Sequence, residues 1–72
     1  MNIFERLVDH YDGQQTKTAI ALGVSQAAVS GWVSGKHGMS VKTALRAEKA
    51  TAGVFRASEL CPDLLLAEQP AA

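Results

Sequence analysis

Gln26, Ala27, Ser30 and Ser34 share one side of any helix drawn through residues 26–34, because about 100° per residue brings these four positions into a single arc. Gly31 lies at the edge of that arc. Ser25, Ala28, Val29 and Trp32 fall on the other side and read as the core-facing half. The chemistry open to such a face is recognition. A glutamine amide can bond bidentately to adenine N6 and N7, an alanine methyl can meet a thymine methyl, and a serine hydroxyl can reach a base edge or a phosphate. Bulky or acidic side chains there would block entry into a major groove, and the arc carries neither.

Catalysis finds no comparable constellation. The chain of 72 residues has one cysteine, Cys61, which can form no internal disulfide and reads as inert. His10 and His37 are far apart and lack cysteine or acidic neighbours at metal-ligand spacing, and His37 reads as a plain loop residue. No Ser/His/Asp, Cys/His or paired-carboxylate set is present, and a chain this short builds no sizeable substrate pocket. No enzyme activity, cofactor or metal is expected. The first residues carry an acid early, unlike a secretion leader, and no apolar run approaches the roughly 20 residues of a membrane span. The expectation is a cytoplasmic, bacterial-type single domain over residues 1–68, with a frayed tail over 69–72.

Seven Lys+Arg balance seven Asp+Glu, and zero net charge on its face argues against a polyanionic partner. The distribution argues otherwise. Residues 13–47 hold Lys17, Lys36, Lys42 and Arg46 and no acid at all, while each flank carries a net charge of −2. The candidate reading face thus sits inside a basic window.

The elements that must position this face are short helices. Ile3, Phe4, Leu7, Val8 and Tyr11 recur at helical spacing, giving an amphipathic helix over about 2–11 that Asp12 and Gly13 end. A second helix runs over about 14–21, with Gly23 supplying the positive φ of the turn after it. Ser25 caps a third over 26–34, closed by Gly35. A loop over 36–39 leads to Ser40, which caps a fourth over about 41–51, ended by Gly53. Residues 54–56 read as extended, and Ser58 as the cap of a last turn reaching Leu65 with Pro62 in its first turn. No strand alternation is present. The fold class is all-α, with four to five short helices. The second and third form a helix-turn-helix in which Ala19 is the small residue at the helix crossing and Gly23 the turn glycine. Leu22, Val24, Val29 and Trp32 are the apolar locks, Trp32 serving the core rather than stacking on a base.

The run from Gln15 through Thr18-Ala19, Leu22-Gly23-Val24-Ser25-Gln26-Ala27-Ala28-Val29-Ser30-Gly31 to Trp32 resembles the helix-turn-helix of phage Cro-type repressors. It is especially similar to the YdaS-like group, and residues 46–53 and 60–64 resemble that pattern too. The resemblance implies a lambda-repressor-like DNA-binding domain and a backbone contact by Gln15. Two positions depart from the pattern. Cys61 stands where arginine is usual before Pro-Asp. Thr18 stands where an aliphatic residue is usual, and Ile20 is expected to compensate by packing toward the first helix.

The candidate DNA-binding set is therefore Gln15, Thr16 and Lys17 at the start of the second helix, Ser25, Gln26, Ala27, Ser30, Gly31 and Ser34 on the third, and Lys36 after it. Gln26 is the leading base reader. Gln15 and Thr16 sit where exposed N–H groups and the helix dipole favour phosphate. Lys17, Lys36 and Lys42 are candidate phosphate neutralisers, and Gly31 allows close approach to the DNA backbone. One reading head of this size buries little surface, so a homodimer on a palindromic operator is expected. Leu60, Leu64, Leu65 and Leu66 are candidates for closing the core, and Leu65 and Leu66 for a dimer seam. Three functions compete: a Cro-type repressor of double-stranded DNA, a YdaS-like antitoxin that binds a toxin protein and autorepresses its operon, and a helical protein-interaction module without DNA binding.

Overall fold

The computed structural model describes residues 2–62, and within them the elements are α1 (Ile3–His10), α2 (Gln15–Leu22), α3 (Gln26–Ser34), α4 (Val41–Ala50) and α5 (Ala57–Leu60). No strand is present among the described residues. The expected domain end at 68, the tail over 69–72 and the residues Leu64, Leu65 and Leu66 lie outside them. None of the described helices is long and apolar enough to cross a membrane. The chain divides into two compact units, one ending at Gly38 and one beginning at Met39.

The first unit holds α1, α2 and α3. Asn2 opens α1 with a full capping box: its side chain accepts from the Glu5 N–H at 2.8 Å, and the Glu5 carboxylate accepts from the Asn2 N–H at 3.1 Å. Asn2 Nδ2 also donates to the Val33 carbonyl at 3.2 Å, tying the start of α1 to the end of α3. Leu7, Val8, Thr18, Ala19, Leu22, Val29 and Trp32 are the buried side chains of this unit. The Phe4 ring lies 6.1 Å from that of Trp32.

α2 ends as the sequence requires. Gly23 is left-handed (φ 68°, ψ 35°), the Val24 N–H donates to the Ala19 carbonyl at 3.0 Å, and the Gly23 N–H reaches Ile20 at 3.3 Å. This pair of bonds closes the last turn of the helix and points the chain into α3. Ala19, Leu22, Val29 and Trp32 are buried as the helix-turn-helix demands, and Val24 is half-buried.

The expected exchange between Thr18 and Ile20 does not occur. Ile20 is 76% exposed, whereas Thr18 is completely buried. The Thr18 hydroxyl donates to the Gln14 carbonyl one turn back at 3.0 Å, which satisfies it locally and lets threonine occupy an apolar position.

In the second unit, Ser40 caps α4 by accepting from the Thr43 N–H at 3.2 Å. The left-handed residue after α4 is Ala52 (φ 54°), with Gly53 following at φ 86°. Residues 54 and 55 are bends and not extended, because the Phe55 N–H donates to Thr51 Oγ1 at 3.2 Å and curls the segment back on the helix. Thr51 is 4% exposed and its hydroxyl donates in turn to Ala47 at 2.9 Å. Thr51→Val keeps the shape and deletes the acceptor, so it should lower stability by about 1–2 kcal/mol in chemical denaturation.

α5 begins after Arg56, not at Ser58, and Pro62 follows it instead of sitting in its first turn. The cap comes from another helix: Glu48 Oε1 accepts from the Ala57 N–H at 2.7 Å, so no local capping residue is needed. Leu60 and Cys61 are buried, which bears on the single thiol: it is free and shielded.

Candidate nucleic-acid interface

α3 starts on Ser25, whose side chain accepts from the Ala28 N–H at 3.2 Å, and ends on left-handed Gly35 (φ 79°). Between these stops the helix shows two opposite characters. Val29 is 0% and Trp32 4% exposed, while Gln26, Ala27, Ser30 and Ser34 are all exposed. The structure therefore brings the four predicted readers together on one outward arc, held rigid from behind by buried side chains.

That arc opens into a groove of about 530 Å³ lined by Ser25, Ala27, Ala28, Ser30, Gly31, Ser34, Lys36 and His37. No lining residue is acidic, and Lys36 is exposed. The Ser34 hydroxyl donates to the Gly31 carbonyl at 3.3 Å, so its lone pairs remain available outward.

Gly31 and His37 meet at the edge of this groove. Gly31 is buried, and a Cβ added there would collide with the His37 ring, including Cδ2 and Cε1 at 2.6 Å. Glycine at this position leaves room for the His37 ring, which a larger residue would push aside. His37 is a loop residue, as expected, and also lines the groove. The only sequence signal for it was a helix-interior glycine six positions upstream.

At the other end of the motif, Gln15 and Thr16 occupy the first turn of α2, with Gln15 half-buried and Thr16 exposed. The cap position is Gln14, whose side chain makes no capping bond, so the first N–H groups of α2 are open to an external acceptor. Lys17 is already engaged: its Nζ lies 2.8 Å from Asp12 Oδ2. Asp12 holds a left-handed conformation (φ 60°) just before α2. The hydrogen bond from Lys17, and its charge, hold the Asp12 carboxyl below its usual range. Because the folded carboxyl titrates lower than the unfolded one, this contact supports the fold above the ordinary aspartate range and fades as pH falls through the lowered value. Both partners are largely exposed, so solvent screens the effect. Lys42 is exposed at the start of α4, in the second unit.

No group of three or more metal-ligating side chains occurs among the described residues. A family model described as bacterial toxin YdaS matches residues 4–68 of the chain. The regulatory protein cro of Pseudomonas phage D3 is 53% identical over 60 residues, which cover 83% of this chain and 81% of that relative. No solved structure matches.

Proposed function

The chain belongs to the YdaS family and is similar to a phage Cro regulator, and from that premise we propose that it is a sequence-specific DNA-binding repressor of transcription. α3 enters the major groove, and a second copy binds the other half of a palindromic operator. The observation that carries this reading is the outward arc of α3: small, polar, without an acid, and rigidly backed by Val29 and Trp32. Gln26, at the first helical position, reads a base edge. Ala27 and Ser30 follow along the groove, and Ser25, Ser34 and Lys36 flank it against phosphate. Gln15 and Thr16 present N–H groups to the backbone of the same duplex. Lys17 exchanges its Asp12 partner for a phosphate oxygen. Two such heads set about one helical turn apart, roughly 34–36 Å, give the contact area that one head lacks. Residues 1–68 act as the one DNA-binding domain.

Zero net charge sets how the binding energy divides. Non-specific affinity is modest, so base contacts and pairing of copies carry more of it. Gln26→Ala should relax preference at one base pair by roughly 1–3 kcal/mol, measured in a gel-shift series of single-base operator variants. Lys36→Ala should weaken binding to every duplex alike and flatten its salt slope by about one. The opposite pattern for the two variants would reverse their roles.

The family's description as a bacterial toxin favours a second reading, the reverse of the antitoxin role expected from the sequence, in which this chain is itself the toxic member of a toxin–antitoxin pair and a further surface binds its antitoxin. Growth arrest on expressing this chain alone, relieved by a co-purifying neighbouring gene product, would support it, and a neighbour that is toxic alone would restore the antitoxin role.

A further inference from the structure

The imidazole of His37 occupies the notch that Gly31 leaves in α3. The approach is close enough that a methyl group on Gly31 would collide with Nε2, the nearest ring atom. Backbone bonds place residue 37 over the helix. The Gly31 carbonyl accepts from the Lys36 N–H at 2.9 Å and from the His37 N–H at 3.4 Å, so the chain after α3 folds back over the helix. Nδ1 lies 3.4 Å from the Gly38 carbonyl. The residue is nevertheless exposed and lines the same groove as Ala27, Ser30 and Ser34.

A ligand that settles against α3 therefore meets an imidazole where the bare sequence offers a glycine. Glycine inside a helix costs about 1 kcal/mol against alanine. Here the cost makes room for a ring at the edge of the recognition face. Among the groove side chains, only Lys36 and His37 can carry positive charge, and none carries negative charge.

We propose that His37 is a further DNA-contacting residue, positioned by Gly31, whose Nδ1–H, only loosely held by the Gly38 carbonyl, donates to an acceptor of the duplex. This rests on the DNA-binding function proposed above. The acceptor chemistry is shared by a phosphate oxygen and by guanine O6 or N7, and the two sources leave different signatures.

The experiment is a mutant cycle on the full chain with labelled duplex, using wild type, His37→Ala, Gly31→Ala and the double variant. His37→Ala should lose about tenfold in affinity with an unchanged unfolding midpoint. Gly31→Ala should expel the ring, keep full helicity and show a similar loss. The double variant should be no weaker than either single one, because both remove the same contact. A loss equal on all duplexes assigns the contact to phosphate, and a changed preference at one base pair assigns it to a base. His37→Ala binding as tightly as wild type overturns the inference while leaving the DNA-binding function standing, and so do strictly additive losses. Wild-type protein that binds no duplex overturns both.

Discussion

Ser30→Glu should abolish duplex binding without disturbing the fold. Ser30 lies in the middle of the exposed arc of α3, lines its groove, and has Gln26 one turn before it and Ser34 one turn after. A glutamate there puts a carboxylate against the phosphate-lined walls of the major groove. Like charges forced together at an interface cost several kcal/mol, so a loss of roughly 100-fold is expected at low salt. The helix itself gains slightly, since glutamate is a better helix former than serine. Fluorescence anisotropy with a labelled duplex reads the first effect and circular dichroism the second. Binding within twofold of wild type would place the duplex on another surface.

Trp32→Ala should have the largest effect on stability. Trp32 is 4% exposed and its ring lies beside that of Phe4, tilted by 33°, so it joins α3 to α1. Deleting a buried tryptophan costs about 3–5 kcal/mol, through lost transfer energy and the cavity left behind. Small domains have total stabilities near the low end of the 5–15 kcal/mol range, so the variant should be largely unfolded at 37 °C. Thermal unfolding followed by circular dichroism checks this. Trp32→Phe should recover most of the loss. A tryptophan stacking on a base would behave differently: its alanine variant would keep the wild-type midpoint and lose only DNA affinity.

Much of this architecture is legible in local chemistry. Ser25 and Ser40 announce helix starts because a serine oxygen satisfies an orphan N–H within three residues. Gly23 and Gly35 announce helix ends because only a left-handed residue lets the next N–H reach back to the helix. The arc of Gln26, Ala27, Ser30 and Ser34 follows from the helical period alone. What escaped depends on partners distant in sequence or on a bond invisible to hydropathy. Glu48 caps a helix nine residues away, so α5 starts earlier than the Ser58 signal suggests. Thr18 buries its hydroxyl by bonding one turn back, which leaves Ile20 outside. Lys17 pairs with Asp12, and a residue from the loop after α3 shapes the groove. In each case the residue type is unremarkable and the geometry decides.

The outward Ile20 side chain also shows where the basic window is uneven. α2 presents an apolar residue beside Lys17, whose charge is shared with Asp12. On the proposed function, the weight of phosphate neutralisation should move toward Lys36 and the open N–H groups at the start of α2.

The central claim is that the outward arc of α3 reads double-stranded DNA. Selection of bound sites from a random duplex pool tests it most directly. The expected result is a short enriched motif repeated with two-fold symmetry about one helical turn apart, losing one specified base pair per half-site when Gln26 is replaced by alanine. Folded wild-type protein that enriches no sequence over the starting pool would contradict it.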